Sequence, residues 1–126
     1  MRRHLWAGTA GLALVAGPAL SQDLMFPIGE GVFNWDSYES YAEAHDYSGE
    51  SITITGPWTG RDKELVESVL AYFEEATGAE VEYSGSDSFE QDIVIASEAG
   101  TPPNFGVFPQ PGLAADLASQ GRLVPL

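Results

Sequence analysis

At Ser51 the chain begins to alternate. In Ser51-Ile52-Thr53-Ile54-Thr55 the isoleucines take one side and the hydroxyls the other. A β-branched run at period two predicts a strand. Gly56-Pro57-Trp58-Thr59-Gly60 then makes a turn, and the period changes. Leu65, Val66, Val69, Leu70, Tyr72, Phe73 and Ala76 fall on one arc of about 160° at about 100° per residue. Glu64, Glu67, Ser68, Glu74 and Glu75 fill the other side. This predicts a helix over residues 61–76. Asp62 and Glu64 in its first turn suit the positive end of the helix dipole. Gly78 suits the left-handed residue that closes many helices. Residues 79–83 alternate again as a second strand. Strand, crossover helix and strand form a βαβ unit, so the strands are expected parallel and the crossover right-handed.

The flanking segments extend this pattern. Residues 22–32 carry Pro27, Gly29 and Gly31 and no sustained period, an extended lead-in. Trp35, Tyr38, Tyr41 and Ala42 recur at helical spacing within residues 33–47, with Asn34 or Asp36 available as a cap. Such an aromatic stripe is expected to pack. After a loop at Ser84-Gly85-Ser86-Asp87, Ser88-x-x-Gln91 has the form of a capping box ahead of Phe89, Ile93 and Ala96. Ile93-Val94-Ile95 alone would also suit a strand; the cap and the closing Gly100 favour a helix. Pro102-Pro103 enforces a loop. Residues 105–108 read as a short third strand, and residues 113–120 as a brief helix closed by Gly121. The order β-α-β-α-β-α is that of an open parallel sheet with helices on both faces.

Residues 1–21 stand apart. Arg2-Arg3-His4 is a basic start, residues 5–19 are apolar, and Ala19 and Ser21 offer small side chains for cleavage. This has the form of a secretory signal peptide, cut after Ser21. The run is shorter than the roughly 20 residues that a spanning helix needs. The division is therefore residues 1–21 as leader, 22–50 as an extension with one helix, and 51–126 as the first part of an α/β lobe. The expectation is of the front part of something longer.

Charge narrows the partners. The 126 residues carry a formal charge of −14 and no cysteine. Without residues 1–21, three basic residues face nineteen acidic ones, a charge of −16. Such a surface repels nucleic acid and anionic lipid and keeps the chain soluble. A secreted chain without disulfides must rely on its apolar core.

In an open parallel sheet, ligands bind beyond the carboxyl ends of the strands. The loops expected there carry Trp58, Thr59 and Arg61; Ser86 and Asp87; and Gln110. An indole face with hydroxyl, amide and charged groups suits a neutral, hydroxyl-rich ligand such as a sugar. Trp58 could instead fold back over the sheet edge, Gln110 could be a solvated loop amide, and Arg61 could pair with Asp62 or Glu64. Enzyme signals are poor. His45 is the one histidine beyond the leader and sits at a helix end. No Gly-x-Ser-x-Gly elbow, phosphate loop, dinucleotide fingerprint or EF-hand spacing occurs. Neither a metal nor a cofactor is expected.

The stretch from Ser51 onward resembles the N-terminal lobe of extracellular solute-binding proteins, family 1, of ABC sugar importers, in particular the alpha-glucoside and maltose-binding type. The features that carry the resemblance are the Gly56-Pro57-Trp58 loop, Phe73-Glu74-x-x-Thr77-Gly78, Gly100-x-Pro-Pro-Asn104, and Gly112-Leu113 through Gly121-x-Leu123. The resemblance implies a type II periplasmic-binding-protein-like lobe, incomplete in this chain. It implies a periplasmic receptor that closes over an oligosaccharide and hands it to a membrane permease. By motif position it implies ligand contacts from the loops of Trp58, Arg61 and Gln110. Maltose binders usually carry an acidic or aromatic residue where this chain has Gln110. The alternatives are a small secreted carbohydrate-active α/β enzyme using Asp87 and Asp92, or an interaction domain.

Overall fold

A computed structural model describes residues 24–125, so the expected leader, residues 1–21, lies outside the described residues. Four helices and three strands follow in the order α1 (Trp35–Ala44), β1 (Ser51–Gly56), α2 (Gly60–Thr77), β2 (Glu80–Gly85), α3 (Phe89–Ala99), β3 (Phe105–Gly106) and α4 (Pro111–Ser119). No helix among the described residues is long and apolar enough to cross a membrane.

The sheet is parallel throughout, in the order β2-β1-β3. Ile52 lies opposite Val81, and Ile54 lies between Tyr83 and Phe105. These residues therefore share one face, and Thr53 and Thr55 take the other. The chain steps from β1 to β2 in one direction and from β2 to β3 in the reverse. Right-handed crossovers then put α2 and α3 on opposite faces. Ile93 of α3 accordingly meets Gly106 on the Thr55 side.

Helix α2 forms as its periodicity requires and ends at Gly78, whose φ of 72° is left-handed and whose N–H donates to the Glu74 carbonyl. Its apolar arc is wider than its contacts. The arc residues Val66, Leu70, Tyr72, Phe73 and Ala76 are only half-buried and Leu65 is 46% and Val69 69% exposed, while the buried Ala71 lies outside the expected arc. The arc has to serve the sheet, α1 and the lead-in, and Val69 is left lining an open groove with the lead-in rather than covered by it. Helix α1 is capped by Asn34, whose side chain accepts from the Ser37 N–H at 3.2 Å. Its aromatic stripe packs on α2: the Tyr38 hydroxyl donates to the Tyr72 carbonyl at 3.1 Å, and Tyr41 lies against Phe73.

Several boundaries and one cap differ from expectation: α1 stops at Ala44, and β2 runs on through Ser84 to Gly85. The third strand is only two residues, because it runs directly into Pro109 after a single further bond from the Val107 N–H to the Thr55 carbonyl. The last helix begins at Pro111, where a residue without an N–H costs nothing. Ser88 precedes α3 but makes no side-chain cap. The Ser86 hydroxyl ties the loop to the helix instead: it donates to Asp92 Oδ2 at 2.5 Å and accepts from the Ser88 N–H at 3.1 Å.

The buried residues are few. Among the described residues Ala71, Ala79, Tyr83, Phe89, Ile93 and Leu117 form the apolar core, with Thr77 beside them. An Asn104 clasp supplements it. The Asn104 side chain accepts from both the N–H and the hydroxyl of Thr53, each at 2.9 Å, and the Asn104 backbone N–H donates to the Thr53 hydroxyl at 3.0 Å. This joins β1 to the loop ahead of β3.

Candidate ligand-binding rim

Because all three strands are parallel, their carboxyl ends share one edge. Strand β1 lies between β2 and β3, and the connections of the sheet run in opposite directions from it. This is the place where an open α/β sheet leaves a crevice.

The rim is tied together by backbone. Strand β1 ends at buried Gly56, where a side chain would strike the Tyr83 hydroxyl and Val107. The Ser86 N–H donates to the Gly56 carbonyl at 3.0 Å and fixes the second loop to the first. The Trp58 carbonyl lies over Gly85, and a Cβ there would collide with it. Tyr83 completes the join: its hydroxyl accepts from the Trp58 N–H at 3.1 Å. Phe108, in the third loop, packs edge-on against Phe89 at 5.4 Å.

The expected site residues divide in two. Ser86 and Asp87 line a cleft of about 500 Å³ together with Pro57, Ser88, Gln91 and Pro109, so this cleft draws on all three loops. Thr59 is attached to it, its hydroxyl donating to Asp87 Oδ1 at 3.2 Å. Trp58 is 38% exposed and lies tilted over Tyr83 with ring centroids 6.4 Å apart. It is neither sealed in the core nor free of packing. Arg61 occupies the exposed first turn of α2 and makes no ion pair with Asp62 or Glu64; Lys63 and Glu67 form the pair on that helix. Gln110 is the exposed residue before α4, makes no side-chain cap and does not line the cleft.

The cleft offers carboxylates and hydroxyls; Pro57 lines it, but the partly exposed Trp58 that follows does not. Carboxylates accept several hydrogen bonds and hydroxyls both donate and accept, the complement of a polyol. Two residues that hold this arrangement carried no chemistry in the sequence reading, Tyr83 and Gly85. The signal for Tyr83 was present: alternation in the second strand turns it inward beside Val81, at the strand's ligand end. His45 is remote from the rim. It ends α1, stacks on Tyr41 at 4.1 Å and contacts the Tyr41 carbonyl through Nδ1. Among the described residues no group of three His, Cys, Asp or Glu could hold a metal.

No family model matches the chain. It is 54% identical to the alpha-glucosides-binding periplasmic protein AglE of Rhizobium meliloti (strain 1021), an alignment that takes in all of this chain and 29% of that protein. It is 46% identical to the osmoprotective compounds-binding protein GgtB of Synechocystis sp. (strain ATCC 27184 / PCC 6803 / Kazusa), over 64% of this chain and 19% of that protein. The chain thus spans less than a third of the length of either relative. Its own share folds as a small open parallel α/β sheet, and the chain is homologous to part of these solute-binding proteins.

Proposed function

We propose that the chain supplies one lobe of a periplasmic receptor that binds alpha-glucosides and delivers them to the permease of an ABC transporter. The observation that carries this reading is the cleft at the common edge of the three strands, where loops from β1, β2 and β3 meet. A lobe with its site on one rim is half of a trap; an opposing surface would close it. Trp58 stacks on the apolar face of the sugar, Asp87 and Ser86 take its hydroxyls, and Thr59 holds Asp87 in place. Arg61 and Gln110 stand on the same rim outside the cleft and contact the ligand only when it is closed over. The chain acts by binding rather than by turnover, in keeping with the printed names of its relatives.

An exchange experiment tests this. The matching 29% of the Rhizobium protein is replaced by this chain. The chimera is titrated with maltose, trehalose and sucrose while Trp emission is followed. Saturable binding that falls at least about tenfold with Trp58→Ala supports the reading. Glucose release would point to the enzyme alternative, and a folded chimera silent to all three sugars would overturn the proposal.

A further inference from the structure

What the strand-end cleft offers a ligand depends on where its hydroxyl hydrogens point. A serine hydroxyl has one hydrogen to donate and two lone pairs to accept with, whereas an ionised carboxylate only accepts. Ser86 Oγ lies 2.5 Å from Asp92 Oδ2, so its one hydrogen is spent on that carboxylate. The Ser88 N–H, at 3.1 Å, takes one of its lone pairs. A single lone pair is left for anything that enters. Asp92 does not line the cleft. It lines a separate concavity between α3 and β1, with Thr53, Thr55 and Ile93, and reaches the cleft only through Ser86.

The neighbouring groups are committed in the same sense. The Thr59 hydroxyl spends its hydrogen on Asp87 Oδ1 at 3.2 Å, and Asp87 itself has only lone pairs to offer. The Ser86 N–H is held by the Gly56 carbonyl at 3.0 Å and the Phe89 N–H by the Ser86 carbonyl at 3.1 Å. The side-chain donors left among the lining residues, the Ser88 hydroxyl and the Gln91 amide, belong to the start of α3. Asp87 and Glu90 give the wall two carboxylates, and among the described residues no Lys, Arg or His lines it.

We propose that Asp92 is a positioning residue that makes Ser86 an acceptor, so that Ser86 and Asp87 select ligand groups that donate hydrogen bonds. Resting on the receptor reading above, this narrows the ligand to neutral polyols that turn O–H hydrogens toward Ser86 and Asp87. A carboxylate or phosphate on the sugar is refused twice, for want of a hydrogen and by the charge of Asp87 and Glu90.

The test uses the chimera described above with whichever of maltose, trehalose and sucrose it binds, and the monodeoxy and monofluoro analogues of that sugar. Fluorine keeps a weak acceptor but has no hydrogen to give. At one hydroxyl position at least, the deoxy and fluoro analogues should both bind about tenfold more weakly than the parent sugar, and equally so. Ser86→Ala should shrink that loss. Asp92→Ala frees the Ser86 hydrogen, and the fluoro analogue should then bind roughly threefold better than the deoxy one. A purely structural role for Asp92 would weaken all analogues alike and leave that ratio unmoved, which would overturn the proposal. Fluoro analogues that match the parent sugar at every position where the deoxy sugar fails would overturn it from the wild-type chimera alone. A folded chimera silent to all three parent sugars would instead remove the receptor reading, and this inference with it.

Discussion

The Tyr83 hydroxyl holds both ends of the Trp58 main-chain unit, accepting from its N–H at 3.1 Å and donating to its carbonyl at 3.3 Å. A buried residue of β2 thereby sets the path of the loop after β1. The indole is left partly exposed because its backbone, not its ring, carries the anchorage. Tyr83→Phe removes both hydrogen bonds and keeps the ring. It is expected to cost about 1–2 kcal/mol in urea unfolding and to shift Trp58 emission to the red. Unchanged emission would mean that the loop is fixed by other contacts.

Gly85 is the second determinant of the same loop. With the Trp58 carbonyl lying over it, even a methyl group has no room. Gly85→Ala should destabilise by about 1–3 kcal/mol or displace the loop. Ser84→Ala, on an exposed neighbour, serves as the control and should change the melting temperature little. Equal effects at the two positions would refute the close approach.

A pH effect is expected at Asp46. The Ser48 hydroxyl donates to its Oδ1 at 2.6 Å and the Ser48 N–H at 3.0 Å, holding the carboxyl below its ordinary value of 3.8. The folded value lies under the unfolded one, so the stabilisation is present above the unfolded value and is lost as pH falls through the folded one. Ser48→Ala removes the stronger of the two bonds. NMR titration should then move Asp46 up toward its ordinary value, and the part of the acid-induced fall in melting temperature that Asp46 contributes should shrink. An unmoved Asp46 titration would sink this.

Salt should act on the whole domain. A small core holds together a chain with a formal charge of −14. Raising NaCl from about 20 mM to about 0.5 M screens the self-repulsion and should raise the melting temperature by several degrees. The same screening should permit association through β3, whose outer edge has no strand partner among the described residues and carries exposed Phe105. Sedimentation at several concentrations reads this directly. A monomer at all salt concentrations would count against an adhesive edge.

On the outer edge of β2 the opposite holds. The Val81 N–H donates to Glu74 Oε1 at 2.7 Å, so a helix side chain covers an edge group that would otherwise invite pairing.

Periodicity by itself determined the elements. Two residues per repeat at Ile52 and Ile54, and the helical arc from Leu65 to Ala76, are local properties, because each follows from how a side chain projects from its own backbone. Gly78 closed its helix for the same local reason. The parallel strands and their common edge followed from the helical crossovers between them, whereas the order β2-β1-β3 came only with the structure. Tertiary structure decided what local rules could not weigh. Ser88 stayed the residue ahead of α3 without a side-chain cap, while Ser86, held by the Gly56 carbonyl, took up the Asp92 carboxylate. Val69 stayed exposed because a helical arc says which side is apolar and not how far the neighbouring elements reach. Gln110 fell outside the cleft while Asp87 fell inside it, since that depends on where three separate loops end in space. The apolar groove of Phe26, Trp35 and Tyr72 joins residues up to 46 apart in sequence, a distance over which no repeat pattern carries information.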